Sequence, residues 1–453
     1  MKTTDVRFWE IRRNTSSKAP SYEVRWVVAG RPRSRARRTK ALAEAFLAEL
    51  RAAARRGEPF DVASGLPQSM QPSTGPTWLE FVQRYVDMKW PRAAAKSRDA
   101  MTDALATVTA ALVAEGPGRP DPQSLRAALR QHLLPPAERA KPVSDTHTAV
   151  AMDWLVNNSI QLFEMEKPLQ LRRGLDAIAL TLDGSPAAAT TVRRKRAVFN
   201  NALQYAVEIE QLPANNLDRV GWRAPSVSDV VDRRVVVNPR QARELLTAVT
   251  YVGPVDRGRH LRGFFACLYY AGMRPSEVQA LRLTDCELPD HGWGHLTLTE
   301  SRPESTRRWT DSGSSHERRS LKHRASTGIR RVPIPSELIT ILRDHVAEFG
   351  TAPDGRLFRT RRGGIVGSNY AAAWSAARPL ALTPAQVLTP IAGRPYDLRH
   401  AAVSLWLNAG VPATEVADRA GHGVDVLLRV YASCIDGSEA TANARIDTAL
   451  DAE

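Results

Sequence analysis

The chain has 453 residues, more than one hydrophobic core usually organises, so we expect two or three domains. Lysine and arginine outnumber aspartate and glutamate by 63 to 48, and this net charge of +15 indicates either a polyanionic partner or a solubilising basic surface. The sequence contains no run of about 18 apolar residues, the length that a membrane-spanning helix needs. The three cysteines and ten histidines form neither a disulfide pattern nor a metal-ligand pair.

Residues 1–58 have the pattern of a small β-rich module. Alternating apolar and polar residues predict strands near 8–12 and over 22–28, a turn follows at 30–32, and a helix is expected from about Ala41 to Arg56. Between turn and helix lies a basic stretch whose candidate DNA contacts are Arg33, Arg35, Arg37 and Arg38. The module could dock a sheet on DNA, and the alternative is a solvated basic face on an interaction module.

A linker rich in Ser, Gly and Pro over 64–76 precedes a helical domain at 77–217. The last strong helix of that domain runs from Thr190 to Glu210. It carries a basic cluster that is the second group of candidate DNA contacts: Arg193, Arg194, Lys195 and Arg196.

After a second linker at about 223–237, residues 238–453 form a mixed domain. Asn238-Pro239 predicts an N-cap and the first residue of a helix. Two or three strands are expected around 295–299 and 329–334, with helices flanking them. The predicted fold class is therefore α+β and multidomain, with a small antiparallel sheet in a mostly helical last domain.

Five local patterns in the last domain contain chemically active side chains. Each has a plain structural explanation when taken alone, such as a core tyrosine, a surface lysine or an arginine paired one helical turn away. In chain order the candidates are Arg274 with Glu277, Lys322 before a turn, Tyr396-Asp-Leu-Arg399-His400, Gly421-His422, and Tyr431 nine positions after that histidine.

Taken together and in this order, the five patterns resemble the catalytic domain of the tyrosine recombinases. The phrases GMRPSEVQALR and GVPATEVADRAGHGVDVLLRVY are most similar to integrases of phages and mobile elements of high-GC bacteria. The resemblance implies an arm-type DNA-binding module at 1–58, a core-binding domain at 77–217 and a catalytic domain at 238–453. It implies site-specific cleavage and rejoining of DNA through a 3′-phosphotyrosyl bond, with no metal, no ATP and no other cofactor.

The resemblance also implies a role for each residue. Tyr431 is the expected nucleophile, and Arg274 and Arg399 are expected to bind the non-bridging phosphate oxygens and stabilise the transition state. Lys322 is the expected general acid for the leaving 5′ oxygen. His422 is expected to add a hydrogen bond to the phosphate, and Glu277 to orient Arg274 or stabilise the fold. The cations should lower the pKa of Tyr431.

One position departs from the family pattern. The family usually has histidine three residues before the second arginine, and Tyr396 stands there in this chain. An isolated tyrosine hydroxyl has a pKa of about 10, which makes it a poor base near neutral pH. We therefore expect Tyr396 to make a supporting hydrogen bond. His400 matches a residue that usually follows that arginine, and is not taken as a displaced substitute.

The expected partners are double-stranded DNA attachment sites, a homotetramer in the synaptic complex and a directionality factor, in the bacterial cytoplasm at the nucleoid and without a membrane. A helix over 438–450 would pack on a neighbouring protomer or fold back on its own domain. Two alternatives remain open: a type IB topoisomerase-like enzyme, and a DNA-binding regulator without catalytic activity.

Overall fold

The computed structural model describes residues 2–14, 21–67, 69–70, 75–322, 328–434, 443–444, 446–448 and 450–451. Contacts divide the chain into two compact units: residues 1–92 with 100–225, and residues 93–99 with 226–453. No helix within the described ranges is long and apolar enough to cross a membrane.

The first unit begins with an antiparallel sheet centred on one long strand. Its strands are β1 (Lys2–Thr3), β2 (Val6–Phe8), β3 (Arg12–Asn14), β4 (Ser21–Val28), β5 (Arg31–Arg37) and β6 (Phe60–Asp61). β2 and β3 pair with opposite ends of β4 along one edge, β5 pairs along the other edge, and β1 pairs with β6. The predicted basic stretch is therefore largely an edge strand.

Helix α1 (Lys40–Arg55) covers one face of this sheet. Thr39 caps its first turn by accepting a hydrogen bond from the Leu42 amide. Side chains at every second position of β4 are buried with apolar residues of α1, and the shared core contains Val24, Trp26, Val28, Ala43, Phe46, Leu47 and Leu50. The other face of the sheet carries the alternate side chains, because strand neighbours point to opposite sides.

The remainder of the first unit is helical and has its own hydrophobic core. Its helices are α2 (Trp78–Lys89), α3 (Ala95–Leu112, in this unit from residue 100), α4 (Pro122–Ala128), α5 (Thr146–Asn158), α6 (Pro168–Ile178) and α7 (Ala189–Glu208). Thr77 and Glu80 form a reciprocal capping box that begins α2 where the sequence predicts the domain to start. Trp78, Phe81 and Phe199 are fully buried in this core.

The second unit contains the small antiparallel sheet that the sequence predicts. Its strands are β7 (Cys286–Glu287), β8 (Gly294–Leu298) and β11 (Arg330–Ile334), in the order β11-β8-β7, and β9 (Glu300–Ser301) pairs with β10 (Arg319–Ser320). β8 and β11 are in register from Gly294↔Ile334 to Leu298↔Arg330.

Helices surround that sheet. They are α8 (Pro239–Ala248), α9 (Arg257–Tyr270), α10 (Pro275–Val278), α11 (Ser336–Phe349), α12 (Tyr370–Ala381), α13 (Pro384–Val387), α14 (Asp397–Asn408), α15 (Ala413–Ala420) and α16 (Val424–Tyr431). Asn238 caps α8 and Pro239 is its first residue, as predicted. α9 and α14 contribute to one continuous core with Phe264, Phe265 and Val403. Most of the helix predicted over 438–450 lies outside the described residues.

Candidate active site

Arg274 lies at a junction between two helices. α9 ends before Gly272, which has a φ of +55°, and Pro275 starts α10. A Cβ at Gly272 would lie 2.7 Å from the Trp406 ring, so both the backbone conformation and the packing require glycine there. The Arg274 side chain donates to Glu277 Oε1 at 2.9 Å and to the Gly421 carbonyl at 2.9 Å.

Glu277 is shared between two arginines. Its carboxylate accepts from the Arg274 backbone amide at 2.7 Å and from both terminal nitrogens of Arg330 at 2.9 and 2.6 Å. Glu277 and Arg330 are each 1% exposed. Burial, the largest single influence, opposes ionisation of the carboxylate, but Arg330, Arg399 and Arg274 together outweigh it and lower the pKa of Glu277 to about 2. Glu277 therefore fixes the position of Arg274 as a charged group.

Arg399 is completely buried in the first turns of α14. It donates to the carbonyls of Gly272 and of Ala420, the latter at 2.5 Å, and to His422 Nε2 at 2.9 Å. These acceptors come from two other segments of the chain. A buried guanidinium is costly unless its donors are satisfied, so these contacts explain how Arg399 is held in the interior.

His422 follows a left-handed glycine at the end of α15. Gly421 has a φ of +65°, and a Cβ there would lie 2.5 Å from Arg330 Nη1 and 3.3 Å from Arg274 Nη1. Burial, with Arg399 and Arg274 nearby, lowers the pKa of His422 to about 3. The imidazole is therefore neutral near pH 7. Its Nε2 accepts from Arg399, because a guanidinium has no lone pair to offer, and its Nδ1 carries the proton.

Tyr431 is the last residue of α16 and is 1% exposed. Its hydroxyl lies 2.9 Å from Nδ1 of His400, and the His422 ring lies 6.1 Å from its own ring. The expectation of a lowered pKa is wrong for this DNA-free structure: burial raises the pKa of Tyr431, and the opposing effect of Arg399 is smaller. The phenol is therefore protonated.

Tyr396 and Lys322 complete the predicted set. The Tyr396 ring packs edge-to-face on the His400 ring, with centroids 5.1 Å apart, so the observed support is a ring contact. Lys322 is exposed and directly precedes residues 323–327, which lie outside the described ranges. Its role stays a prediction. In the described part of the chain, no group of three or more His, Cys, Asp or Glu side chains could hold a metal.

The basic cluster on α7 does not present all its side chains to solvent. Lys195, predicted to contact DNA, is 8% exposed and lies 2.9 Å from Thr107 Oγ1 and 3.5 Å from Asp103. This geometry contradicts the prediction, because the side chain faces α3. Arg196 pairs with Asp218 at 2.5 Å, while Arg193 and Arg194 are exposed. Four consecutive residues point to different sides of a helix, and only some can face a ligand.

The arginines of β5 divide in the same way. Arg33 and Arg35 are paired with Trp26 and Val24, so they share the face that α1 covers. Arg33 donates to the Val62 carbonyl at 2.7 Å, and the guanidiniums of Arg35 and Arg37 lie 5.6 and 4.4 Å from the Phe46 ring centre. Arg38 is exposed after the strand. Three of the four predicted DNA contacts thus contact the module itself.

The open face of that sheet carries a different basic set. Arg7 pairs across the strands with Val27, and Arg12 with Glu23, on the side away from the core. Arg25 lies on the same face, with its guanidinium 5.6 Å from the ring centre of Trp9, which is 44% exposed. The period of two along β4 could have revealed this face, since its apolar positions alternate with Arg25.

Sequence reasoning missed two residues of the candidate site in the second unit. Arg330 occupies the buried face of β11 together with Val332 and Ile334, and an arginine in an apolar alternation is a readable signal for a buried partner. His400 is a different case. Its contact with Tyr431 joins residues 31 positions apart in separate helices, and no local pattern predicts it.

No protein-family model and no curated protein sequence matches this chain. Several solved structures resemble it. A fragment of the Tn1549 transposon integrase, in complex with transposon right-end DNA, is 13% identical, with a TM-score of 0.52 over 83% of this chain and 100% of that fragment.

The XerH site-specific recombinase, bound to a palindromic difH substrate, is 13% identical, with a TM-score of 0.46 over 80% of this chain and 94% of the other. Residues 75–356 of lambda integrase bound to DNA are 13% identical, with a TM-score of 0.44 over 78% and 94%. At such identities a structural likeness establishes fold alone, and the Tn1549 integrase, a tyrosine recombinase, has the fold that this chain shares. The chain therefore has the fold of the tyrosine recombinases, as the resemblance implied.

Proposed function

We propose that this protein is a site-specific DNA recombinase, an integrase that cleaves and rejoins DNA strands through a 3′-phosphotyrosyl bond on Tyr431. The observation that carries the proposal is the convergence of separate segments around one hydroxyl. Arg399 donates to the carbonyl of Gly272 and to the ring of His422, and Arg274 donates to the carbonyl of Gly421. The Tyr431 hydroxyl is hydrogen-bonded to His400, the residue after Arg399.

The site has donors available for a phosphate. Nε of Arg399 and Nδ1 of His422 are buried and have no hydrogen-bond partner among the described residues. Both donors would therefore be available to an anionic ligand at this site. With Arg274, they would bind the non-bridging oxygens and stabilise the added negative charge of the pentavalent transition state.

Lys322 is proposed as the general acid for the leaving 5′ oxygen. Attack by the Tyr431 oxygen on phosphorus breaks the bond between phosphorus and the 5′ oxygen. The products are a 3′-phosphotyrosyl enzyme and a free 5′-hydroxyl. A 5′-hydroxyl from another strand reverses the step and rejoins the DNA. The phosphodiester energy is kept in the tyrosyl bond, so the cycle consumes no ATP.

The wider assignment follows from this chemistry. We propose an arm-type DNA-binding module at 1–58, a core-binding domain at 77–217 and a catalytic domain at 238–453. The partners would be double-stranded attachment sites of a phage or other mobile element, a homotetramer in the synaptic complex and a directionality factor. The protein would act at the nucleoid in a bacterial cytoplasm.

For the N-terminal module, the open sheet face is the proposed DNA surface. Arg7, Arg12 and Arg25 bring positive charge to a flat face, and the exposed Trp9 offers an aromatic surface beside them. Arg33, Arg35 and Arg37 are engaged with the module's own carbonyl and ring, so they serve its fold.

A matched pair of variants tests this surface. Arg25→Ala should weaken binding to arm-site duplexes by about tenfold and lower the salt dependence by about one phosphate contact. Arg35→Ala, on the covered face, should leave affinity and salt dependence unchanged. Equal effects of the two variants would refute the assignment, and filter binding across a salt series measures both quantities.

The function itself is tested with nicked duplexes tiled across the DNA that flanks the gene. On a denaturing gel, wild type should form a covalent protein–DNA adduct at a specific site, and Tyr431→Phe should form none while binding that site with unchanged affinity. An adduct with Tyr431→Phe would refute the nucleophile. Relaxation of arbitrary plasmid would favour a topoisomerase, and specific binding without any adduct would favour a regulator.

A further inference from the structure

His400 contacts the proposed nucleophile directly. It follows Arg399 in α14, and its Nδ1 lies 2.9 Å from the Tyr431 hydroxyl oxygen, with the two rings 5.6 Å apart. Among the described residues, it is the hydrogen-bond partner of that hydroxyl. The family pattern assigns His400 no part in the reaction.

The other groups around Tyr431 are poorly suited to take its proton. His422 already uses the lone pair of Nε2 for Arg399, and its Nδ1 carries a proton. Arg274 and Arg399 are cations without a lone pair. Tyr396, where the family usually has histidine, packs its ring on His400. The imidazole of His400 is thus the one basic nitrogen within hydrogen-bond reach of the hydroxyl in the described part of the chain.

Both members of the pair begin in the protonation state from which a transfer to His400 can start. Burial and the neighbouring Arg399 lower the pKa of His400 to about 4, so the ring is neutral near pH 7. Burial raises the pKa of Tyr431, so the phenol keeps its proton until attack. In the tautomer of neutral His400 that carries its proton on Nε2, Nδ1 accepts from the Tyr431 hydroxyl.

Resting on the recombinase function proposed above, we propose that His400 is the proton acceptor that activates Tyr431. As the tyrosine oxygen forms its bond to phosphorus, its proton moves to Nδ1 of His400. The bond from phosphorus to the 5′ oxygen breaks, and that oxygen takes a proton from Lys322. In rejoining, the 5′-hydroxyl attacks the phosphotyrosine and gives its proton back to Lys322, and His400 returns its proton to the departing Tyr431 oxygen.

Tyr396 supports His400 through a local contact. Tyr396 and His400 are one helical turn apart at the start of α14, and their rings are in contact. The base occupies position 400, and the ring at position 396 packs against it. The imidazolium formed during attack is balanced by the negative charge that develops on the phosphate.

The first test is the rate of adduct formation in a single turnover, using the flanking-DNA duplex that wild type cleaves. His400→Ala should lower that rate by about 10²–10³-fold, a usual range for loss of a general base, with DNA affinity unchanged. Added imidazole should restore at least about tenfold of the loss in His400→Ala, and none in Arg274→Ala, because a small base can replace only a missing base. A rate equal to that of wild type would overturn the proposal.

A second substrate separates the two proton transfers. A duplex with sulfur in place of the bridging 5′ oxygen has a leaving group that needs no proton. On it, Lys322→Ala should approach the wild-type rate, and His400→Ala should remain slow. Recovery of His400→Ala on this substrate would make His400 the donor to the leaving group and refute its role as acceptor for Tyr431.

The two proposals fail in different ways. If wild type forms no adduct with any duplex, the recombinase function fails. If wild type cleaves and His400→Ala cleaves equally fast, the inference about His400 fails alone. Nitrogen-15 NMR of the DNA-free protein gives an independent measure of the pair: His400 should carry its proton on Nε2, and a proton on Nδ1 would contradict the acceptor role.

Discussion

The two units of this protein use their basic residues in opposite ways. In the second unit, Arg274, Arg330 and Arg399 lie in separate segments, and each is held by a carbonyl, a carboxylate or both. In the first unit, the basic residues come in runs, at 33–38 and 193–196, and neighbouring members of a run face different surroundings. A dense positive run therefore did not predict which of its members face outward.

The physical reason is the periodicity of each element. In a helix four consecutive side chains point around the whole circumference, and in a strand they alternate between two faces. Consecutive basic side chains therefore lie partly in the interior and partly on the surface. Lys195 points inward and forms an ion pair with Asp103, and Arg33 points inward and donates a hydrogen bond to the Val62 carbonyl. Four predictions, from the largest expected effect to the smallest, test this contrast.

Arg399→Lys should have the largest effect. A lysine keeps the charge but cannot reach the Gly272 and Ala420 carbonyls and the His422 ring with a planar fork. We expect adduct formation to fall by about 10²–10³-fold, the usual cost of one transition-state donor, with DNA affinity changed by about twofold or less. Single-turnover cleavage and filter binding measure the two. Near-normal cleavage would mean that positive charge alone suffices.

Gly421→Ala should have a smaller effect on the same site. The left-handed backbone costs alanine about 1–2 kcal/mol, and the added Cβ would displace Arg330 and Arg274. Cleavage should fall by roughly tenfold, from displacement of Arg274. Gly292→Ala, also at a positive φ but with no atom within 4 Å of its Cβ, is the matched control and should cleave at the wild-type rate. Equal cleavage by both variants would show that the contact at Gly421 has no catalytic consequence.

Lys195→Met should affect stability and leave DNA binding unchanged. The substitution removes a buried ion pair from Asp103, which keeps Arg126 as a partner, so we expect a loss of about 1–2 kcal/mol in the free energy of unfolding. Arg194→Met is the control, since its exposed side chain should contribute little to stability. Urea unfolding measures the stability of both variants, and filter binding measures their DNA affinity. Weaker DNA binding by Lys195→Met at full stability would restore the original prediction.

The smallest effect, counted for each pH unit, is the pH dependence of the free energy of unfolding. The folded-state pKa of His400 is about 4, below its unfolded value of about 6.5, so the unfolded chain binds more protons between these values. Its neutral, buried state therefore contributes stability that is complete above pH 6.5 and is lost as pH falls toward 4, at about 1 kcal/mol for each pH unit. Between pH 6.5 and pH 4, the free energy of unfolding measured with urea should fall by about 1 kcal/mol for each pH unit more in wild type than in His400→Asn. Parallel curves would mean that His400 titrates normally.

Much of the fold was predictable because local signals agreed with tertiary structure. Asn238-Pro239 begins α8, Thr77 begins α2, and the strands expected near 295 and 330 are β8 and β11. Each of these depends on a cap, a proline or an alternation that acts over a few residues. The extent of β5 was missed, because a run of arginines with a proline hides the alternation of an edge strand.

The site divides in the same way. The expected roles of Tyr431, Arg399, Arg274 and His422 came from the resemblance to the tyrosine recombinases, and the structure brings these side chains together. The ionisation of Tyr431 was predicted with the wrong sign, because counting nearby cations omits the burial of the phenol. His400 and Arg330 were missed because their partners lie in other segments of the chain.

By itself, the sequence determined the elements of the catalytic unit and the order of its reactive residues, since helix ends, strand periods and motif spacing are local properties. Only the tertiary structure decided which cations face outward, that Tyr431 is protonated, and that His400 is its partner. Those outcomes depend on burial and on distances between residues far apart in the chain, and pKa values and hydrogen bonds follow from such distances.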